Sequence, residues 1–271
     1  MFGLNNKMVK AGIYLIIFTS VIFVFGCSDA TEPAVGQGQI LMKMVDAPAN
    51  YEQVNIVVSR VEVHKAGSDS TNGWIVLNAN TTTHDLLTLR NGASAVLGNT
   101  ALDVGHYTQI RLILGTGSNV VVNGSTFNLD VASGTQTGIK LNHEFDIKDG
   151  QVYELFLDFN AESSIILTGN SQYKLKPVIR VVPDIISGTI SGKINPSTTR
   201  TTISATNSIE TVTTVSDTTN GSFKLTALLS GNYNLTFSPA AYTNYKDTSV
   251  TNVSVTAKQN TDLGAVVLST K

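Results

Sequence analysis

The sequence predicts an all-β protein built as two tandem β-sandwich domains. Three observations predict it. Apolar and polar residues alternate with period two in many short runs, the spacing that turns one face of a strand inward. Turn dipeptides such as Asn123-Gly124 and Asp149-Gly150 separate those runs. Thr, Ser, Asn and Gly are abundant, Gly alone numbering 22, and clear helical periods are few. At 271 residues the chain is long enough for one or two hydrophobic cores.

The first element is not part of that fold. Lys7 and Lys10 form a positive segment, and residues 11–25 are uncharged and rich in Ile, Leu, Val and Phe. The stretch falls short of the about 20 residues of a comfortable transmembrane helix and fits a signal h-region. It ends Val24-Phe25-Gly26-Cys27. This junction resembles the lipobox of bacterial lipoproteins: an aliphatic residue, a small one just before the cysteine, then Cys. Phe25 departs from the pattern, where a small residue is usual. The resemblance implies a signal peptide over residues 1–26 that is removed, and lipidation of Cys27. Cys27 is the only cysteine, so no internal disulfide can form. Residues 27–38 then read as the lipidated cysteine and a small, polar, flexible tether. The expected location is the cell envelope, lipid-anchored to a membrane. Ser28 after the cysteine favours the outer membrane or cell surface.

Composition excludes other classes. Lys and Arg number 18 against 20 acidic residues, so the cationic surplus that phosphate binding needs is absent and no nucleic acid is expected. With 42% hydrophobic and 14% charged residues, the chain is not an acidic disordered polymer.

The first domain is read over residues 39–183. Ile40, Met42 and Met44 alternate with polar neighbours until Asp46-Ala47-Pro48 breaks the run. Val54, Ile56 and Val58 share one face, and Val61 and Val63 continue on the opposite parity, which predicts a β-bulge near Ser59-Arg60. His84 to Leu89 reads as a helical turn before Asn91-Gly92. Residues 120–122 and 126–131 flank Asn123-Gly124 as a hairpin. Residues 145–148 and 152–159 flank Asp149-Gly150 as another, with Tyr153, Leu155, Leu157 and Phe159 on one face. Residues 173–182 read as one long final strand, with Pro177 marking an edge or bulge.

Seven segments here come in a telling order. They include Val45-Asp46-Ala47-Pro48, Val61-Glu62-Val63-His64, Asp85-Leu86-Leu87, Gly105-His106-Tyr107-Thr108-Gln109-Ile110-Arg111-Leu112 and Gly138-Ile139-Lys140-Leu141. Leu157-Asp158-Phe159-Asn160-Ala161 and Leu175-Lys176-Pro177-Val178-Ile179-Arg180-Val181 complete the set. Together they resemble a family of bacterial lipoprotein domains known only as the domain of unknown function numbered 4382. The resemblance covers almost all of residues 39–182. It implies an exported, lipid-anchored β domain and no known activity. Asn160 stands where many members are expected to have Asp.

The second domain is read over residues 184–271. Strands are expected at 185–194, 201–205, 211–215, 248–255 and 262–268. Asp217 and Gly221 bracket a turn before Phe223 and Leu225, and Gly231 opens a strand in which Tyr233, Leu235 and Phe237 point inward. These features resemble the carboxypeptidase-regulatory-like domain, implying a seven-stranded, prealbumin-like sandwich grouped with carbohydrate-binding-like folds. Leu102-Asp103-Val104-Gly105-His106-Tyr107 matches Leu228-Leu229-Ser230-Gly231-Asn232-Tyr233 in form.

Candidate chemistry is sparse. His64, His84, His106 and His143 lack the spacing of helix-borne metal ligands, and no cysteine partner exists beside them. No nucleophile–base pair or serine elbow stands out, so no catalytic residues and no cofactors are expected. Asp158, Asn160 and Glu162 share one side of a strand end, a candidate oxygen set for Ca²⁺, against a solvated face opposite Leu155 and Leu157. Trp74, Tyr242 and Tyr245 are candidate ligand contacts because exposed rings stack on sugars; Tyr51 is a fourth ring. Core packing is the competing role for each. Two functions follow. One is a non-catalytic, lipid-anchored envelope protein presenting β-sandwich interaction domains to an envelope protein. The other is a carbohydrate-binding lipoprotein acting through the C-terminal domain, a link that rests on fold analogy.

Overall fold

Strand order follows from where the alternating runs can bury their apolar faces. A computed structural model describes residues 36–69, 72–131, 137–170 and 172–271. Residues 1–35, which include the expected signal segment and Cys27, lie outside the described residues. Residues Val35–Lys271 form one compact unit with two lobes.

The N-terminal lobe contains β1 (Gln37–Asp46), β2 (Gln53–Lys65), β3 (Trp74–Asn78), β4 (Thr82–Asp85), β5 (Ala95–Asp103), β6 (Gly105–Leu114) and β7 (Asn119–Val122). It continues with β8 (Ser125–Val131), β9 (Ile139–Ile147), β10 (Val152–Phe159), β11 (Ile165–Leu167), β12 (Tyr173–Leu175) and β13 (Ile179–Pro183). One sheet runs β13-β10-β1-β5, with β1 and β10 parallel. The other runs β11-β12-β8-β7-β2-β6-β9, with β3 and β4 also paired to β2. Ile40, Met42 and Met44 of β1 and Leu155, Leu157 and Phe159 of β10 meet Val54, Ile56, Val61 and Val63 of β2 in one core. Each such fully buried aliphatic side chain contributes about 1.5–3 kcal/mol.

The expected bulge is present. The β2–β6 register shifts between Val58 and Arg60, which keeps Val61 and Val63 inward despite their change of parity. Asn123 and Gly124 both have positive φ, 49° and 71°, and join β7 to β8 as a tight hairpin. Asp85 caps the short 3₁₀ turn Leu86–Thr88 by accepting from Leu87 N at 3.1 Å.

Two sequence expectations are corrected. Asp149-Gly150 does not close a hairpin: β9 belongs to the larger sheet and β10 to the smaller. The turn changes layers because its backbone is recruited by β1, with Gly150 N donating to Gln37 O and Gln39 N to Gln151 O. Phe145 and Tyr153 instead stack across the core, ring centres 5.0 Å apart. Residues 173–182 do not form one strand either. The break at Pro177, which has no N–H for a ladder, separates β12 in one sheet from β13 in the other.

The 3₁₀ turn Asp184–Ile186 leads into the C-terminal lobe. Its strands are β14 (Ser187–Asn195), β15 (Thr201–Thr206), β16 (Thr211–Val215), β17 (Ser222–Leu229), β18 (Gly231–Pro239), β19 (Thr248–Val255) and β20 (Asn260–Val267). Sheets β17-β14-β20 and β16-β15-β18-β19 enclose Ile190, Ile203, Phe223, Tyr233, Leu235 and Phe237.

The two matched hexapeptides adopt one geometry. Gly105 and Gly231 have φ of 151° and 155°. Two residues on, Tyr107 donates to Asp103 O at 2.9 Å and Tyr233 to Leu229 O at 2.8 Å. Each hydroxyl thus ties a strand start to the carbonyl four residues upstream, the arrangement known as a tyrosine corner. A Cβ on Gly231 would meet only Asn207 Nδ2 at 3.9 Å, so the glycine is required by backbone angle and not by space. Gly231→Val is expected to destabilise the C-terminal lobe by about 1–3 kcal/mol. A melting curve by circular dichroism unchanged from wild type would refute that reading of the turn.

Candidate functional site

Three segments that the sequence places far apart converge where the lobes meet. β1 ends at Asp46, whose N–H donates to Leu89 O at 2.8 Å while Ala47 N donates to Phe159 O at 3.0 Å. These bonds hold the ends of β1 and β10 against the stretch after the 3₁₀ turn. That stretch continues to Asn91 and Gly92, both at positive φ. From there Asn91 crosses to the other lobe. Its N–H donates to Thr214 Oγ1 at 3.1 Å, and its Oδ1 accepts from Lys224 N at 2.6 Å.

A cleft of about 320 Å³ lies between these walls. The N-terminal lobe contributes Asp46, Arg90, Asp158 and Arg180, and the C-terminal lobe Thr211, Thr213, Lys224 and Thr226. Asp46 is only 5% exposed. Its Oδ1 accepts from Ala161 N at 3.0 Å, whereas Oδ2 is buried without a hydrogen-bond partner. Burial pushes this carboxyl up to about 8; the Asp158 charge adds to the rise and Arg90 opposes it. Near neutral pH Asp46 therefore largely keeps its proton. Thr226 Oγ1 is also buried without a partner. Burial lowers the pKa of Arg90, and Arg200 nearby adds to that effect. Among the described residues Arg90 forms no ion pair, and neither does Lys224.

Beside the cleft, an ion-pair network joins the lobes. Arg180 of β13 donates to Asp158 Oδ2 through Nε at 3.1 Å and Nη2 at 2.6 Å, and to Ala227 O at 3.0 Å. Its Nη1 donates to Glu210. Glu210 also accepts from Leu229 N at 2.9 Å, and its Oε1 lies against the Tyr233 hydroxyl. Val45, Phe156, Val182 and Ala227 form a small apolar cluster in the same interface. Burial pushes the Asp158 carboxyl above its ordinary range, with the Arg180 charge opposing.

The residues singled out from sequence are dispersed. Trp74 is half-buried, with the Arg111 guanidinium 4.0 Å over its ring and His64 against its edge. Arg111, held in turn by Glu62, occupies that face of the ring. Tyr245 is partly buried against the C-terminal core. Tyr242 alone of the three stands open, at 83% exposure. The candidate calcium ligands do not assemble into a cage. Asp158 is taken by Arg180, Asn160 caps a short helix by accepting from Ser163 N, and Glu162 accepts from Asn50 N. Among the described residues no group of His, Cys, Asp or Glu could hold a metal ion. The histidines also go separate ways: His106 pairs with Asp146 at 2.8 Å, and His143 Nε2 lies 3.2 Å from the Tyr153 hydroxyl. No helix among the described residues is long and apolar enough to cross a membrane.

Arg90, Arg180, Glu210 and Lys224 were not foreseen as site residues. One signal was available. Glu210 is the single charged residue between Arg200 and Asp217, in a stretch otherwise filled by two strands.

No curated protein matches the chain. Solved structures show distant likeness. A type II cohesin–X-dockerin complex from Acetivibrio cellulolyticus is 20% identical over 31% of this chain and 58% of that one, TM-score 0.24. The TIE protein of Bacillus anthracis is 13% identical over 86% of this chain and 34% of its own, TM-score 0.23. A mutant of the shaft pilin SpaA of Lactobacillus rhamnosus GG is 9% identical over 87% and 98%, TM-score 0.23. The chain thus spans less than two thirds of the first two structures. At family level, residues 37–177 match the description "Domain of unknown function (DUF4382)". That match holds the β1 and β10 segments flooring the cleft and extends over more than half of the sequence, so the chain belongs to the DUF4382 family.

Proposed function

We propose that the protein is a non-catalytic, lipid-anchored component of the cell envelope that presents its two β-sandwich lobes to other envelope molecules as one stiff body. The observation that carries the reading is the lobe junction. A freely hinged pair of domains has a small polar interface. Here one arginine is shared between carboxylates of both lobes and Asn91 is bonded into the opposite sheet. The anchor rests on Val24-Phe25-Gly26-Cys27, since two or more acyl chains hold a protein on a membrane where one does not. Replacing Cys27 by Ser is expected to move the protein from the membrane fraction to the soluble fraction. Retention in the membrane fraction, with an unmodified N-terminal segment by mass spectrometry, would defeat the anchor.

A second reading is recognition of glycans. The C-terminal lobe resembles the carboxypeptidase-regulatory-like domain, and Tyr242 offers an open ring on it. The inter-lobe cleft, with its threonine hydroxyls and unpartnered polar atoms, favours the same class of ligand by different means.

A further inference from the structure

The cleft has a charge and hydrogen-bond balance that its own residues leave incomplete. On the positive side stand Arg90, half-buried and without an ion pair among the described residues, and Lys224 across from it. A partly desolvated guanidinium is most favourably matched by a carboxylate, which its planar fork receives through two parallel hydrogen bonds. Among the described residues no carboxylate pairs with it: Asp85, whose charge reaches Arg90, accepts instead from Val54 N and Leu87 N. Asp158 is committed to Arg180, and Asp46 sits beneath the surface with its proton retained near neutral pH. On the neutral side, Asp46 Oδ2 and Thr226 Oγ1 are buried without a hydrogen-bond partner, which leaves the floor of the cleft polar and incomplete. Thr211 and Thr213 add hydroxyls, and Val178, 46% exposed, adds an apolar surface. The volume lies at the small end of ligand pockets, on the scale of one or two rings.

We propose that the inter-lobe cleft binds a saccharide bearing a carboxylate, a hexuronic acid unit, with Arg90 and Lys224 supplying the positive charge, Thr211 and Thr213 meeting ring hydroxyls, and Asp46 and Thr226 forming the polar floor beneath them. The inference rests on the glycan reading above and moves its site from the Tyr242 loop to the lobe junction. A ligand held there touches both lobes at once, so it stabilises their junction by mass action as well.

The test is saturation-transfer NMR and calorimetric titration of the full chain in detergent, with glucuronate, glucose and acetate as probes. Glucuronate is expected to bind about ten-fold or more tightly than glucose, the size of one charge-assisted contact. Acetate, lacking hydroxyls, is expected to bind more weakly than glucuronate. Arg90→Gln and Lys224→Gln should each weaken glucuronate about ten-fold, while Lys246→Gln, a charge-matched control on the exposed surface, should not. Both cleft residues are partly or fully exposed, so their replacement leaves the cores intact. Saccharide binding that ignores Arg90→Gln overturns the cleft assignment and leaves the glycan reading standing. Glucose binding as tightly as glucuronate overturns the acidic class alone. Binding of neither saccharide removes the glycan reading itself, and acetate matching glucuronate removes the sugar from the proposal.

Discussion

Replacing Arg180 by alanine is expected to cost about 3–5 kcal/mol and to uncouple the two lobes. The size comes from what is left behind. Asp158 and Glu210 side chains are 15% and 6% exposed, and without the guanidinium both are buried charges lacking a counter-ion. Ala227 O loses its donor as well. Lysine at this position should recover only part of the loss, because a point charge cannot make the forked contacts to two carboxylates and a carbonyl. Chemical denaturation offers a direct reading, since Trp74 is the only tryptophan and lies in the N-terminal lobe. In the wild type its fluorescence and the far-ultraviolet circular dichroism should change together. In Arg180→Ala the dichroism should begin to fall at lower denaturant, as the C-terminal lobe opens first. Coincident, unshifted curves in the variant would show that the network does not couple the lobes.

Asp46→Asn is expected to flatten the alkaline loss of stability. The Asp46 carboxyl has an ordinary value of 3.8 and is held at about 8 in the fold. The folded chain therefore keeps a proton that the unfolded chain releases. Stability contributed by the neutral carboxyl is complete below about 4, declines as pH rises toward about 8, and is level beyond that. At roughly 1.4 kcal/mol per unit, relaxation of the site included, the change is on the order of 3–5 kcal/mol. Asparagine cannot ionise, and its Oδ1 can still accept from Ala161 N. The variant should thus melt near the wild type at pH 5 and above it at pH 9. Parallel profiles for the two proteins over that range would mean that Asp46 is solvated in the fold.

These two sites mark the limit of what the residues alone reveal. Period-two alternation located β1, β2, β6, β10 and β18, because strand burial is a local pattern. The bulge in β2 was legible as a change of parity, and the β7–β8 turn as Asn-Gly. Which sheet a strand joins is not local. Asp149-Gly150 looks like a hairpin turn, yet β1 takes its backbone, a partner more than a hundred residues earlier in the chain. Phe156 lies on the face of β10 opposite Leu155 and Leu157. It is buried because the second lobe covers β10's other face. Asp158 suggested an oxygen ligand for Ca²⁺ together with Asn160 and Glu162, but the arginine beside it makes it one half of an ion pair and not part of a cation cage. Asp46 and Arg180 stood inside family segments, and only the folded chain brings those segments to one cleft.

One pairing feature governs how the chain can be made. In each lobe the opening strand lies parallel to a strand synthesised far later: Gln39 beside Val152, and Thr189 beside Asn260. Ring closure over such spans is entropically slow. During translation the greasy side of β1, with Ile40, Met42 and Met44, waits uncovered until β10 has left the ribosome. Over that interval the uncovered face of β1 is the part of the chain most exposed to sticking to its neighbours. A stop codon that removes only β20 would leave β14 with one flank bare, so even a short C-terminal truncation should cost the whole second sandwich.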